Sequence, residues 1–188
     1  MKKITLLLGG ARSGKSHYAQ ELAKFSGQKV LFVATAEAGD RDMQLRIEKH
    51  RQGRPADWRI LEATSHIGSR IKDEIEEDES LVIIDCITLL VSNIFCHYSE
   101  KEFETIEESL LEKQVVSEIN ELREYLQKAD SSFIIVSNEV GLAIVPENRM
   151  SRIYRDLLGR ANQMLAQSSD EVYFMVAGIP LRVKPERR

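Results

Sequence analysis

The sequence has little of several features that mark particular protein classes. Cys86 and Cys96 are its only cysteines, which argues against a disulfide framework and leaves no C-x-x-C metal or redox motif. No apolar run approaches the roughly 20 residues that cross a bilayer. The run that follows Met1 is also too short for a secretory signal. We therefore expect a cytoplasmic protein with reduced thiols and no membrane span.

An excess of positive charge is also missing. Lysine and arginine total 26 against 30 aspartates and glutamates, for a net charge of −4. Bulk electrostatic attraction to nucleic acid is therefore not predicted. The chain shows no internal repeat, linker or low-complexity segment, and its 188 residues are enough to bury a core. We expect residues 1–188 to form a single domain.

A phosphate-binding loop is the most informative motif in the chain. Residues 9–16 read G-G-A-R-S-G-K-S, between an apolar run that predicts a strand and a segment that predicts a helix. Glycines let the backbone approach a phosphate closely, and the helix N-terminus adds positive potential. In such a loop Lys15 reaches the β- and γ-phosphates, and the hydroxyl of Ser16 holds Mg²⁺. The loop predicts a nucleoside triphosphate as ligand but does not specify the reaction.

Strand and helix patterns alternate along the chain, which predicts an α/β fold with a mostly parallel sheet and helices on both faces. Strands are predicted over residues 4–8, 30–34, 58–62, 81–85, 133–137 and 171–176, with an antiparallel edge strand over 181–183. Helices are predicted over 17–25, 40–51, 67–75 and 150–167, and residues 87–95 form a helix or a turn. The pair Ser99 and Glu102 matches a capping box, so a helical stretch should run from there to Lys128. Its spacing fits one long helix or two joined near Glu112.

Polar residues follow two of the predicted strands directly. Asp85 ends an apolar strand that we expect beside the strand of the phosphate loop, so its carboxylate is a candidate Mg²⁺ ligand. A cap at the strand end is the alternative role for this residue. Asn138 to Gly141 follow a second strand and should face the same rim as the phosphate loop, because ligands bind at the carboxyl ends of parallel strands.

A strongly basic segment surrounds His50. Arg46, Arg51 and Arg54 are suited to stabilise the negative charge that develops during phosphate transfer. Neighbouring positive charge disfavours imidazolium, and a neutral imidazole is a competent nucleophile toward phosphorus. From composition alone, a solvated surface histidine remains the default interpretation.

Four blocks occur together and in order along the chain. They are G-G-A-R-S-G-K-S at 9–16, R-I-x-x-H-R-x-x-R-P-x-x-W at 46–58, D-C-I-T at 85–88 and N-E-V-G-x-x-I-V-P at 138–146. Through these blocks the chain resembles the bifunctional adenosylcobinamide kinase / adenosylcobinamide-phosphate guanylyltransferase family of cobalamin biosynthesis. The resemblance runs from the first strand to about Val183. The first block is shared with many NTPases, whereas the second and fourth are far more specific.

The resemblance implies a RecA-like P-loop NTPase fold, a homotrimer and two successive reactions. The first phosphorylates the aminopropanol hydroxyl of adenosylcobinamide with ATP or GTP. The second transfers GMP from GTP to that phosphate through a guanylyl-histidine intermediate, and it yields adenosylcobinamide-GDP and pyrophosphate. The family's nucleophile corresponds to His50, which acts together with Lys15. The implied Mg²⁺ ligands are Ser16 and Asp85.

The resemblance also implies a set of guanine-nucleotide contacts. They are Gly9, Gly10, Ala11, Arg12, Ser13, Gly14, Lys15, Ser16, Ala34, Thr35, Ala36, Arg51, Gln52, Gly53, Arg54, Glu62 and Asp85. The chain contains no N-K-x-D motif. Guanine selectivity of the kind found in GTPase switches is therefore not expected.

Two other functions remain open on sequence grounds. A simple small-molecule kinase would share the phosphate loop but would need no covalent intermediate, so His50 would have no special role. A nucleotide-dependent binding module that acts on DNA or protein would share the fold. The acidic net charge and the absence of a basic stripe outside residues 41–54 weigh against DNA as its partner. Only the bifunctional enzyme predicts that a corrinoid changes nucleotide turnover.

Overall fold

The protein, seen in a computed structural model that describes residues 2–36 and 55–184, is built on a seven-stranded sheet. The strands are β1 (Ile4–Gly9), β2 (Lys29–Ala34), β3 (Arg59–Glu62), β4 (Glu79–Asp85), β5 (Ser132–Val136), β6 (Glu171–Val176) and β7 (Ile179–Lys184). The helices are α1 (Lys15–Ser26), α2 (Ile67–Glu74), α3 (Ile87–Cys96), α4 (Glu100–Thr105), α5 (Glu108–Lys128) and α6 (Arg149–Ser168). The helix predicted over residues 40–51 lies outside the described residues.

The sheet order is β3-β2-β4-β5-β1-β6-β7, and every pair is parallel except β6 with β7. Alternate strand residues face two separate cores. One core packs against α1, and the larger core packs against α2, α3, α5 and α6. The predicted mostly parallel α/β fold with an antiparallel edge is confirmed. The apolar runs of β4 and β5 are continuous because both faces of these strands are buried.

The expected neighbour of the phosphate-loop strand is wrong. We expected β4, which ends at Asp85, to lie beside β1, but β5 lies between them and pairs with both. Strand order depends on pairing between residues far apart in the chain, and the apolar pattern of a buried strand does not encode it. The segment that directly borders the phosphate loop on this side therefore follows β5.

The helical stretch after Ser99 is two helices, and they join at Ile106 rather than near Glu112. The capping box is present, since the Ser99 backbone N–H donates to the Glu102 carboxylate. The backbone of Ile106 is extended, and its carbonyl oxygen accepts a hydrogen bond from Nη2 of Arg149 at 2.8 Å. A tertiary contact therefore accompanies the helix end at a position where the apolar spacing continues without a break.

Helix α2 depends on carboxylates supplied by α5. Glu118, which is buried, accepts hydrogen bonds from the backbone N–H groups of His66 and Ile67 at 2.9 and 3.0 Å. Glu121 accepts one from the Ser69 N–H at 3.0 Å. These bonds satisfy amides that have no partner within a helix's first turn. The two helices cross closely at Gly68, where a Cβ would lie 2.9 Å from the Glu121 carbonyl oxygen.

Replacing Gly68 with alanine is expected to destabilise the protein by about 1–3 kcal/mol, because the added methyl overlaps the backbone of α5. Gly159→Ala is the matched control, since that helical glycine has no atom within 4 Å of its Cβ position. It should be neutral or stabilising by up to about 1 kcal/mol. Urea unfolding of both variants measures the difference. Equal midpoints would contradict the close α2–α5 contact.

Candidate active site

The phosphate loop connects β1 to α1 and is held against the β6–β7 turn. Gly14 caps α1 in a left-handed conformation, with φ 96°, and its carbonyl oxygen accepts from the Tyr18 N–H at 2.9 Å. The Ser13 carbonyl oxygen accepts from the Gly178 N–H at 2.9 Å. The loop is thus fixed at both ends and braced from the sheet edge. Its amides precede a helix N-terminus, which is the arrangement that binds phosphate.

Gly9 cannot carry a side chain in this loop. Its φ is 148°, and a Cβ would lie 2.6 Å from the Met175 carbonyl oxygen and 2.8 Å from Oγ of Ser13. Gly10 differs, since nothing lies within 4 Å of its Cβ position. The first glycine therefore allows close packing of the loop on β6, while the second leaves an open face.

Lys15 is buried, with 6% of its surface exposed, and its ammonium group lies inside the loop. Nζ donates to the carbonyl oxygens of Gly9 and Gly10 at 2.9 and 2.7 Å. Burial lowers the pKa of Lys15, while electrostatic attraction to Asp85 opposes that shift. Asp85 ends β4, two strand positions from β1, whose loop leads to Lys15 on the same rim of the sheet.

The segment after β5 lies directly against the phosphate loop, as predicted. The Ser137 N–H donates to the Leu7 carbonyl oxygen, and the Glu139 N–H donates to the Gly9 carbonyl oxygen, both at 3.0 Å. The Glu139 carboxylate accepts a hydrogen bond from the N–H of Gly141, two residues further along the chain, at 2.6 Å. Asn138 to Gly141 thus share one rim with the phosphate loop.

Sequence reasoning gave no role to two residues that hold this segment. Oγ1 of Thr88 accepts from the Asn138 N–H at 2.7 Å, and Nδ2 of Asn162 donates to the Asn138 carbonyl oxygen at 3.0 Å. Thr88 belongs to the D-C-I-T block, three residues after the candidate metal ligand Asp85. This position was the one feature of the sequence that could have indicated a role for Thr88 at the site. Asn162 is a buried polar residue in a helix that otherwise shows amphipathic spacing, and no local pattern marks it.

The remaining predicted residues lie in the phosphate loop (Ala11 and Arg12), in the first turn of α1 (Ser16), at the ends of β2 and β3, or outside the described residues. Thr35 is fully buried, and its hydroxyl bonds to the backbone of Cys86, as described below. Glu62 ends β3, four strand positions from β1 on the same rim. The residues His50, Arg51, Gln52, Gly53 and Arg54 lie outside the described residues.

Burial raises the pKa of the Cys86 thiol to about 12, so this thiol stays protonated at neutral pH.

Residues 2–36 and 55–184 contain no cluster of three or more histidine, cysteine, aspartate or glutamate side chains suited to a metal. In the same ranges no helix has both the length and the apolar character needed to cross a membrane.

Comparison with known proteins relates nearly the whole chain to one family. A family model described as cobinamide kinase / cobinamide phosphate guanyltransferase matches residues 5–183. The chain is 40% identical over 182 residues to the bifunctional adenosylcobalamin biosynthesis protein CobU of Escherichia coli (strain K12), across 96% of this chain and 99% of that protein. It is 39% identical over 181 residues to the bifunctional adenosylcobalamin biosynthesis protein CobP of Pseudomonas aeruginosa, across 96% and 97%.

Solved structures support the fold. The RadB recombinase crystal structure matches with a TM-score of 0.50 at 16% identity, over 92% of this chain and 73% of that one. A protein from Pyrococcus horikoshii OT3 matches with a TM-score of 0.54 at 7% identity, over 98% and 87%. The likeness to a recombinase supports the RecA-like P-loop fold. At 16% sequence identity it carries no information on the substrate.

The contrast between the two loop glycines is testable. Gly9→Ala is expected to weaken GTP binding at least about tenfold, because the methyl overlaps Met175 and displaces the loop. Gly10→Ala, with open space at its Cβ, should bind within a few-fold of wild type. Titration with a fluorescent GTP analogue measures both. Equal losses in the two variants would contradict the close packing of Gly9 on β6.

Proposed function

Since the chain belongs to the cobinamide kinase / cobinamide phosphate guanyltransferase family, we propose that it phosphorylates adenosylcobinamide and then transfers GMP from GTP to the product. The family match over residues 5–183 is the observation that carries this function. The relatives are named as bifunctional enzymes, which favours two reactions over the simple kinase. A binding module without catalysis has no support from these relatives.

The kinase step uses the phosphate loop. The aminopropanol hydroxyl oxygen attacks the γ-phosphorus of ATP or GTP, the bond from that phosphorus to the β,γ-bridging oxygen breaks, and the hydroxyl proton passes to solvent. Loop amides bind the phosphates, and Lys15 neutralises the charge that develops on the leaving oxygen. Support comes from the Lys15 ammonium, which lies against the Gly9 and Gly10 carbonyl oxygens at the mouth of the loop.

The guanylyl transfer proceeds in two displacements at one phosphorus. An imidazole nitrogen of His50 attacks the α-phosphorus of GTP, and the bond to the β-phosphate breaks to release pyrophosphate. A phosphate oxygen of adenosylcobinamide phosphate then attacks the same phosphorus, and the P–N bond breaks to give adenosylcobinamide-GDP. A covalent intermediate of this kind divides one difficult transfer into two easier ones. His50 is assigned by its place in the R-I-x-x-H-R block.

Ser16 and Asp85 would hold Mg²⁺. A hydroxyl and a carboxylate are the hard oxygen donors that this ion prefers, and it commonly takes one or two protein ligands together with substrate phosphates. Asp85 ends β4 and Ser16 lies in the first turn of α1, both on the rim of the sheet that carries the phosphate loop. When bound, the ion supplies charge neutralisation for the phosphates.

The nucleotide contacts follow the rim of the sheet. We assign the phosphates to residues 9–16 and Asp85, and the remaining direct contacts to Ala34, Ala36, Glu62 and residues 51–54. Four strand spacings of about 4.8 Å separate Glu62 from β1, or roughly 19 Å along the rim. This separation supports a nucleotide that extends along the rim, with its base toward β3.

We extend the proposal to assembly and location: the resemblance implies a homotrimer, and the composition of the sequence favours the cytoplasm. Light scattering coupled to size exclusion should give about three times the mass of the chain. A mass that stays at one or two chains at all concentrations would contradict the trimer.

The covalent step predicts that the protein becomes labelled. Wild type incubated with GTP labelled at the α-phosphate and Mg²⁺, then denatured, should retain acid-labile label, because a phosphoramidate survives denaturation and hydrolyses in acid. His50→Ala should retain none. His97→Ala is the matched control, since this exposed histidine has no place in the site and should leave labelling unchanged. Scintillation counting of the precipitated protein measures all three.

Two outcomes would contradict parts of the proposal separately. Absence of label on wild type that still binds GTP would remove the covalent mechanism and favour the simple kinase. Label on wild type that added adenosylcobinamide phosphate does not discharge would retain the intermediate but reject the corrinoid as acceptor.

A further inference from the structure

Thr35 uses its whole hydroxyl to hold the backbone of another strand. It follows β2 directly and has 0% of its surface exposed. Oγ1 donates to the Cys86 carbonyl oxygen at 2.7 Å and accepts from the Cys86 N–H at 2.8 Å. Both backbone groups of one residue are thus satisfied by one side chain. The resemblance implies a nucleotide contact for Thr35, but its one hydroxyl proton is already donated and the residue has no exposed surface.

The residue held in this way directly follows Asp85. Pairing between β2 and β4 ends with Ala34 opposite Asp85. Cys86, which directly follows β4, therefore has no register partner on β2. The Thr35 N–H adds a longer contact of 3.4 Å to the Asp85 carbonyl oxygen. Three bonds from one residue therefore fix the backbone at and just after the candidate metal ligand.

Thr35 is itself fixed from the opposite side. Nδ2 of Asn93, a buried residue of α3, donates to the carbonyl oxygens of Thr35 and Thr64 at 2.9 and 3.0 Å. The Thr35 main chain is thereby anchored between α3 and the end of β2. A displacement of Asp85 would therefore require several buried hydrogen bonds to break together, which is costly in the interior.

The same type of contact continues across the rim toward the phosphate loop. Thr88 accepts from the Asn138 N–H, and the next residue, Glu139, donates to the Gly9 carbonyl oxygen. Two threonine hydroxyls and one backbone bond thus connect the ends of β2, β4, β5 and β1 in their order in the sheet. Asp85 ends β4, directly before the residue that Thr35 holds, so it lies within this series of bonds.

We propose that Thr35 is a positioning residue for Asp85: its hydroxyl sets the direction of that carboxylate by fixing the Cys86 peptide, and it does not contact the nucleotide. The inference rests on the proposed role of Asp85 as a Mg²⁺ ligand. It assigns Thr35 to metal-dependent binding rather than to direct recognition of GTP. Partners that orient a metal ligand typically change metal affinity by 10- to 100-fold when they are removed.

Thr35→Val tests the proposal, because it keeps the shape of the side chain and removes only the hydroxyl. Binding of a fluorescent GTP analogue is titrated with Mg²⁺, and the Mg²⁺ concentration for half-maximal binding is the readout. Thr35→Val should raise that concentration roughly tenfold or more and should change binding in EDTA little. Thr35→Ser keeps the hydroxyl and should restore the wild-type value within a few-fold.

Thr5→Val is the matched control, since Thr5 is also a buried threonine of the sheet but lies near the opposite end of its strand. It should leave the Mg²⁺ dependence unchanged. Urea unfolding verifies that each variant is folded. If Thr35→Val does not fold, Thr35→Cys replaces it, because a thiol is a weak donor of similar size and should give an intermediate shift.

Three results would overturn the proposal. An unchanged Mg²⁺ dependence in Thr35→Val would show that the hydroxyl does not act on the metal site. Equal loss of binding with Mg²⁺ and in EDTA would indicate a direct nucleotide contact. A serine variant as impaired as valine would show that the hydroxyl does not account for the effect. The readout needs no corrinoid, so it remains valid if wild type proves inactive on adenosylcobinamide, which would reject the proposed function alone.

Discussion

The candidate active site lies where four parallel strands, β2, β4, β5 and β1, end side by side. The backbone polar groups there need hydrogen-bond partners, because strand pairing stops. Pairing ends at Ala34, Asp85 and Val136 on β2, β4 and β5. Beyond these residues a buried N–H or C=O without a partner would cost about as much as a lost hydrogen bond. Threonine hydroxyls and the backbone of the phosphate loop supply the missing partners. The same bonds that complete the sheet therefore place its charged side chains.

Sequence patterns predicted the elements well where the determining contacts are local. The strand–helix alternation, the capping box at Ser99 and the antiparallel edge all follow from periodicity and short motifs, and the structure contains each of them. Two features depend on distant residues, and both predictions were wrong. The first is the junction between α4 and α5, where Arg149 donates a hydrogen bond to the Ile106 carbonyl oxygen. The insertion of β5 beside β1 depends on pairing across more than a hundred residues.

The candidate site divides along the same line. The phosphate loop was predictable because its glycines, lysine and helix are contiguous, and the geometry of Gly9 and Lys15 agrees with that prediction. The role of Thr35 was not predictable, because a hydroxyl that satisfies the backbone of another strand leaves no mark in the local pattern. Asn162 is a similar case, since its amide donates a hydrogen bond to the carbonyl oxygen of Asn138, in a loop outside its own helix. For residues 51–54 and His50 the family resemblance remains the basis of the assignment.

The position of β5 also places the N-E-V-G block between the phosphate loop and the segment that follows β4. With β5 inserted, the axes of β1 and β4 are two strand spacings apart, or roughly 9.6 Å. Lys15 follows the loop that leaves β1, and Asp85 ends β4. The residues that follow β5 hydrogen-bond to Thr88 of α3 and to Gly9 at the end of β1. A change in Asn138 or Glu139 is therefore expected to affect both the phosphate loop and the segment that follows Asp85.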